Sequence, residues 1–211
     1  MNYIVTSNHI HLLVKENGNE AIAKGMQLVA GRTAQEYNLR KRRNGAFWED
    51  RYHATAVDTE NYLARCMAYI DLNMVRAGVV QHPGEWPMSG YCEIQKPPVR
   101  YAVVDQSALL DLFGCKSYGD LRLACRERIE ESLRLGQQQR NSDWSESLAV
   151  GRAEFIEIIR ADLGLQGIDR NSVSTDIGQV LKETPAAYNA VFDGEMACLR
   201  GNNGVKTRLD T

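Results

Sequence analysis

No stretch of the sequence approaches the ~18 consecutive apolar residues that a membrane-spanning helix needs. The N-terminus also lacks the charged-then-apolar layout of a secretion signal. Cysteine is sparse. The five thiols, at positions 66, 92, 115, 125 and 198, are odd in number and form no Cys-x-x-Cys pair. That argues against a disulfide framework and against a zinc knuckle. There is no internal repeat and no low-complexity tract. There is little net charge of either sign: −2 over 211 residues. This excludes a uniformly basic nucleic-acid protein but not a local basic patch. Hydrophobic residues at 44% and charged residues at 25% are globular usage. The expectation is a cytosolic, bacterial-style chain with buried thiols and no membrane partner. Its length allows one ordinary domain, or a domain with a smaller companion.

The positive charge is concentrated. Between Lys24 and Arg51 stand seven bases (Lys24, Arg32, Arg40, Lys41, Arg42, Arg43, Arg51) against three acids. Residues 1–98 carry a net +1 and residues 99–211 a net −3. Lys96-Pro97-Pro98 is the best boundary, dividing the chain into 1–98 and a C-terminal extension, 99–211. Ile4 to Val14 predicts a strand, with His9, His11 and Leu13 on one face. Apolar steps of four, four, four and three from Ile22 through Met26, Ala30 and Ala34 to Tyr37 predict a helix. Ala46 to Val57 reads as extended. A helix follows from about 59 to 77, capped by Asp58 or Thr59, with Glu60 in its first turn and Leu63, Met67, Ile70 and Met74 as its buried stripe. In the extension, helices are predicted over 107–113, 117–135 and 153–163, closed by Gly114 and Gly164 where a glycine follows directly. A helix-turn-helix around Asp176–Tyr188 is a further possibility, weakened by Gly178 and Pro185.

Three features carry chemistry. Residues i and i+2 of a strand point the same way, so His9 and His11 can reach one ion; two surface histidines would look the same. That no third or fourth His or Cys stands nearby argues against a closed structural zinc site. On the 59–77 helix, Tyr69 and Asn73 stand one turn apart on a face shared with Tyr62, Arg65 and Arg76. A phenol and a carboxamide so placed can serve as nucleophile and oxygen ligand of one metal centre, or as a tyrosine at the core edge above a solvated asparagine. Third, Arg40 to Arg43 followed by Phe47 and Trp48 suits single-stranded nucleic acid, with cations on phosphates and rings on bases. The alternative is a solvated basic turn ahead of aromatics that face the core.

Four blocks occur in order. They are Asn8-His9-Ile10-His11-Leu12-Leu13-Val14, then Ala46-Phe47-Trp48-Glu49-Asp50-Arg51-Tyr52. Next come Tyr69-Ile70-Asp71-Leu72-Asn73-Met74-Val75-Arg76-Ala77-Gly78-Val79-Val80, and finally Trp86-Pro87-Met88-Ser89-Gly90-Tyr91. Together they closely resemble the REP-associated tyrosine transposases, a branch of the single-tyrosine HUH transposases, over about residues 3–95. The resemblance implies an α+β fold: a ferredoxin-like HUH endonuclease core, an antiparallel sheet with helices on it, followed by a mainly helical extension. It implies that His9 and His11 bind Mg²⁺ or Mn²⁺, with Asn73 as third ligand and Tyr69 as nucleophile. The expected substrate is single-stranded or hairpin DNA held by Lys41, Arg42, Arg43 and Arg51, and the expected assembly a monomer or homodimer. Thr6-Ser7 stands where relatives commonly have Met-Pro, and Met74 where they have Pro. Relatives also place a strand and a helix ahead of the His-x-His strand, and Met1 lies just ahead of it here, so those elements are expected to be missing.

The activity so implied is cleavage and rejoining of DNA through a 5′-phosphotyrosine. The phenolate it needs would be favoured by the metal or by a cation such as Arg65 or Arg76. Two other readings remain at this point: a DNA-binding remnant or regulator that has lost catalysis, and a metal-dependent small phosphoesterase with no use for Tyr69.

Overall fold

The computed structural model describes residues 1–182 except 17, 19, 50, 60, 137–138 and 165–169. Over these residues the chain is α+β, built on two sheets. The predicted strand over Ile4–Val14 is in fact a hairpin. β1 (Asn2–Val5) pairs antiparallel with β2 (Ile10–Leu13), in the register Ile4 opposite His11 and Val5 opposite Ile10. The turn between them is made by Thr6, whose backbone N–H and hydroxyl both donate to the His9 carbonyl. Thr6-Ser7-Asn8 is turn chemistry inside an otherwise strand-rich run. The run that reads as one strand is thus two, with β1 its first part and His11 on the second. The resemblance implies a ferredoxin-like sheet; among the described residues, the sheet that bears His11 has two strands.

α1 (Ala21–Lys41) follows and buries none of its residues. Its predicted stripe is only half-covered, by the chain folding back after Arg42. Trp48 Nε1 donates to the Ala30 carbonyl at 3.0 Å, and the Phe47 ring lies 4.6 Å from that of Tyr37. Among the described residues of 46–57, the strand is β3 (Ala56–Val57).

α2 (Asn61–Asp71) lies across the β1–β2 hairpin, and its stripe of Leu63, Met67 and Ile70 is buried as expected. The predicted single helix to residue 77 breaks at Leu72 (φ −78°, ψ 3°), and α3 (Asn73–Arg76) resumes, burying Met74. The Asp58 carboxylate accepts the backbone N–H of Thr59 and takes both the backbone N–H and the guanidinium of Arg152. Burial would raise the Asp58 pKa, but the Arg152 hydrogen bonds outweigh it and hold the group below the usual range. Glu60 lies outside the described residues.

The Trp86–Tyr91 block fastens β1. Trp86 Nε1 donates to the Val5 carbonyl, Val5 N–H donates to Met88, and Ser89 caps α4 (Gly90–Gln95) through Cys92 N–H. Only glycine fits at 90: a Cβ there would collide with the Asn2 side chain and stand 2.9 Å from Tyr3 N. α5 (Gln106–Phe113) and α6 (Tyr118–Arg134) form where the periodicity placed them, with Gly114 in the left-handed region (φ 61°) closing α5. Together β1, β2, α2, α5 and α6 enclose the main core around Ile4, Met67, Leu109 and Leu121.

The extension holds strands as well as helices. α7 (Asp143–Glu146) leads directly into β4 (Ser147–Gly151), followed by α8 (Ala153–Asp162). β5 (Ser172–Thr175) and β6 (Gly178–Lys182) form a hairpin. The second sheet runs β3-β4-β6-β5, with β3 parallel to β4 and the other pairs antiparallel. This corrects the helix-turn-helix: residues 176–182 are a turn and a strand, and 183–188 lie outside the described residues. Val173, Val180 and Leu181 supply strand propensity that the helical reading passed over.

Asp71 is buried against the hairpin, its Oδ1 accepting from Asn2 Nδ2 at 2.9 Å. Desolvation pushes its pKa up to about 7, against the lowering effect of the Asn2 hydrogen bond. The folded state therefore holds this proton where the unfolded chain, titrating near 4, has released it. Stability contributed by the neutral acid is complete at pH 4 and is lost as pH rises through about 7. Asp71→Asn should remove that pH dependence and raise stability at pH 8, by a few kcal/mol at most. Urea unfolding of both chains at pH 5 and pH 8 checks it. Parallel pH profiles would contradict the assignment.

Candidate active site

β2 positions His11 with its side chain on the same face as buried Leu13, and His11 is half-buried. His9 lies one residue ahead of the strand, exposed, on the turn that Thr6 closes. The two imidazoles nevertheless meet, with ring centroids 5.0 Å apart at 71°. His9 Nδ1 is 2.8 Å from Asn8 Oδ1, an acceptor; the tautomer with its proton on Nδ1 leaves Nε2 with a free lone pair. That Nε2 faces Asn73 Oδ1 at 3.3 Å. In that tautomer a lone-pair nitrogen stands opposite a carboxamide oxygen, an arrangement that a cation would complete, since ligands about 2.0–2.1 Å from a small hard ion stand about 3 Å apart. Burial, the neighbouring His9, and the guanidinium groups of Arg76 and Arg140 push the His11 pKa down to about 4. His11 is therefore a neutral imidazole at pH 7, the form that binds metal. The donor set of His9, His11 and Asn73 fits a divalent cation. Among the described residues there is no cluster of three or more His, Cys, Asp or Glu that would hold one instead.

Tyr69 sits on the last turn of α2, half-buried, with its ring centroid 6.1 Å from that of His11. Arg76, two turns on from Tyr69, comes back over the phenol ring. Its guanidinium carbon lies 4.0 Å from the ring centroid. Burial lowers the Arg76 pKa, an effect opposed by the charge and hydrogen bond of Tyr69. The guanidinium stays cationic, and its Nη2 is buried without a hydrogen-bond partner. Of the two cations considered from sequence, Arg76 reaches Tyr69. Arg65 instead donates to the carbonyls of Asp176 and Ile177.

The sequence missed Trp144. Its ring lies 6.4 Å from that of Tyr69, tilted by 35°. Nothing in the spacing could have announced a contact across 75 positions. Arg140, which faces His11 electrostatically and pairs with Glu146 at 3.2 Å, was missed for the same reason.

The structure thus brings His9, His11, Tyr69 and Asn73 together. It places the basic residues elsewhere: Lys41 ends α1, Arg42 caps it in the left-handed region (φ 50°), and Arg43 donates to the Ala46 carbonyl. None of the described hydrogen bonds, ion pairs or ring contacts joins these three to the His pair. Arg51 is exposed on the segment between Trp48 and β3.

Residues 1–73, roughly the first third of the chain, match the family model described as Transposase IS200 like. The matched span opens at β1 and closes on Asn73, so all four clustered side chains fall within it. The match supports a place among the transposases, a class that acts on DNA. No curated protein and no solved structure matches the chain. No described helix is long and apolar enough to cross a membrane.

Proposed function

We propose that the chain is a single-tyrosine HUH transposase, of the REP-associated kind, that cuts and rejoins single-stranded or hairpin DNA. The observation that carries this reading is the convergence of His9, His11 and Asn73 beside Tyr69. A divalent ion such as Mg²⁺ or Mn²⁺, held by His9, His11 and Asn73, supplies a Lewis acid for the scissile phosphate when bound. Tyr69 Oη attacks the phosphorus in line. The new O–P bond gives a 5′-phosphotyrosine, the bond to the 3′ oxygen breaks, and that oxygen leaves as a free 3′-OH after taking up a proton. The phenol's own proton is lost to solvent. Arg76, over the ring, offsets the negative charge on Oη as attack begins. Because the phosphodiester energy is kept in the covalent link, a second 3′-OH reverses the step without ATP.

The test is a hairpin oligonucleotide labelled 3′ of the nick and incubated with the chain and Mn²⁺. The reading expects label on the protein in a denaturing gel. Hairpin binding without an adduct would favour the regulatory remnant.

The basic end of α1 is proposed to hold the strand away from the scissile phosphate. Reversing Arg42 and Arg43 to Glu should weaken single-stranded DNA binding. It should also reduce the slope of log affinity against log salt by about 0.7 for each phosphate that is no longer neutralised. An unchanged slope would show these side chains to be a solvated turn.

A further inference from the structure

The second sheet meets the Tyr69 helix at successive levels. Just before α2, buried Asp58 takes Arg152 in a 2.8 Å ion pair, and Asp58 N–H donates to the Val150 carbonyl on β4. At the first turn, Tyr62 packs so closely on the start of β6 that a Cβ on Gly178 would stand 2.5 Å from its ring. One turn on, Arg65 donates to the carbonyls of Asp176 and Ile177 in the β5–β6 turn. At the next turn Tyr69 meets Trp144.

Trp144 is itself held firmly. It packs against both the main core and the cluster of Val150, Ile177 and Val180. Its neighbour Asp143 is buried and pairs with Lys182 on β6 at 2.9 Å. α7 is thus fixed to the sheet on which α2 rests, and Trp144 is the part of that assembly that touches the phenol.

We infer that the sheet of β3, β4, β5 and β6 is the seat of the nucleophile helix, and that Trp144 is a positioning residue for Tyr69. The inference rests on the reading of Tyr69 as nucleophile. It assigns to residues far outside the matched span a part in setting the angle of attack. The His11 ring, the Arg76 guanidinium and the Trp144 ring all lie around the Tyr69 ring. Removing the indole leaves a half-buried phenol free to swing, and a displacement near 1 Å from the line of attack costs roughly a hundredfold in rate.

The experiment compares Trp144→Leu with Trp144→Phe. Leucine keeps apolar bulk for both clusters but has no ring; phenylalanine keeps a ring. Melting temperatures and hairpin affinity are measured beside the single-turnover rate of adduct formation at saturating DNA and Mn²⁺. The expected result is a rate loss of about 10- to 100-fold for Trp144→Leu, recovery of most of it by Trp144→Phe, and unchanged hairpin affinity in both. An unchanged rate in a folded Trp144→Leu chain would overturn the inference. So would a parallel loss of affinity and rate, which would make Trp144 a substrate contact. A second measurement needs no activity: a nuclear Overhauser contact between the Tyr69 and Trp144 rings in the DNA-free, metal-free chain. If the unmutated chain makes no adduct, the functional reading fails. The ring contact then decides the seat alone: its presence keeps Trp144 as the residue that orders Tyr69, and its absence overturns that too.

Discussion

Tyr69→Phe should abolish both the nick and the covalent protein–DNA adduct while leaving the fold and hairpin affinity in place. The substitution deletes one hydroxyl. The ring keeps its neighbours His11, Trp144 and Arg76. The buried side of α2, Leu63, Met67 and Ile70, is untouched. The guanidinium of Arg76 keeps the ring face it lies over, so stability should change little. Rate should fall below detection, because no other described hydroxyl has the same standing. Tyr62, two turns earlier, is committed to the second sheet, packed against Gly178 and the Val150 cluster. The readouts are the denaturing gel for the adduct and a binding titration for affinity. Metal-dependent hydrolysis that survives Tyr69→Phe would favour the small phosphoesterase instead.

The second large effect is loss of metal dependence. His11→Ala should lower both Mn²⁺ affinity, measured by calorimetry, and the adduct rate, by at least roughly a hundredfold. His9→Ala should act in the same direction, since its Nε2 is the atom that faces Asn73 Oδ1. Both chains should fold. His9 is exposed, and His11 is a strand residue whose neighbour Leu13 carries the burial. His53→Ala serves as the control, because that imidazole is bonded to the Ser147 carbonyl at the edge of the second sheet. Nicking by the His9→Ala, His11→Ala double variant at the unmutated rate with Mn²⁺ present would remove the metal assignment.

What the sequence could show follows the range of the forces involved. The helices at 106–113, 118–134 and 153–162 were legible because each has a local signature: apolar steps of three and four, and a capping serine or aspartate or a closing glycine. The β1–β2 hairpin was not. Its turn residues Thr6, Ser7 and Asn8 are three positions inside a run whose overall composition is strand, and they carry neither glycine nor proline to mark the turn. The approach of His9 to His11 survived that error. The pair meets across the end of the strand, not along one strand face. The second sheet was out of reach for a different reason. β3 has two residues, and its partner β4 lies about 90 positions away, so only the folded chain reveals the pairing. Arg65 and Arg76 shared a helix face in the sequence; in the fold the β5–β6 turn takes Arg65, and Arg76 lies over the Tyr69 ring. Phe47 and Trp48 show the same limit. Composition left them divided between stacking on bases and packing on protein, and the structure lays them against α1, half-buried.

The most direct measurement is the chemical identity of the linkage. The unmutated chain is incubated with hairpin DNA and Mn²⁺, digested with nuclease and protease, and its peptides are weighed by mass spectrometry. The account predicts a nucleotide joined through its 5′-phosphate to the peptide containing Tyr69, with a free 3′-OH on the other DNA product. A linkage on any other residue, or nicked DNA with no linkage at all, would contradict it.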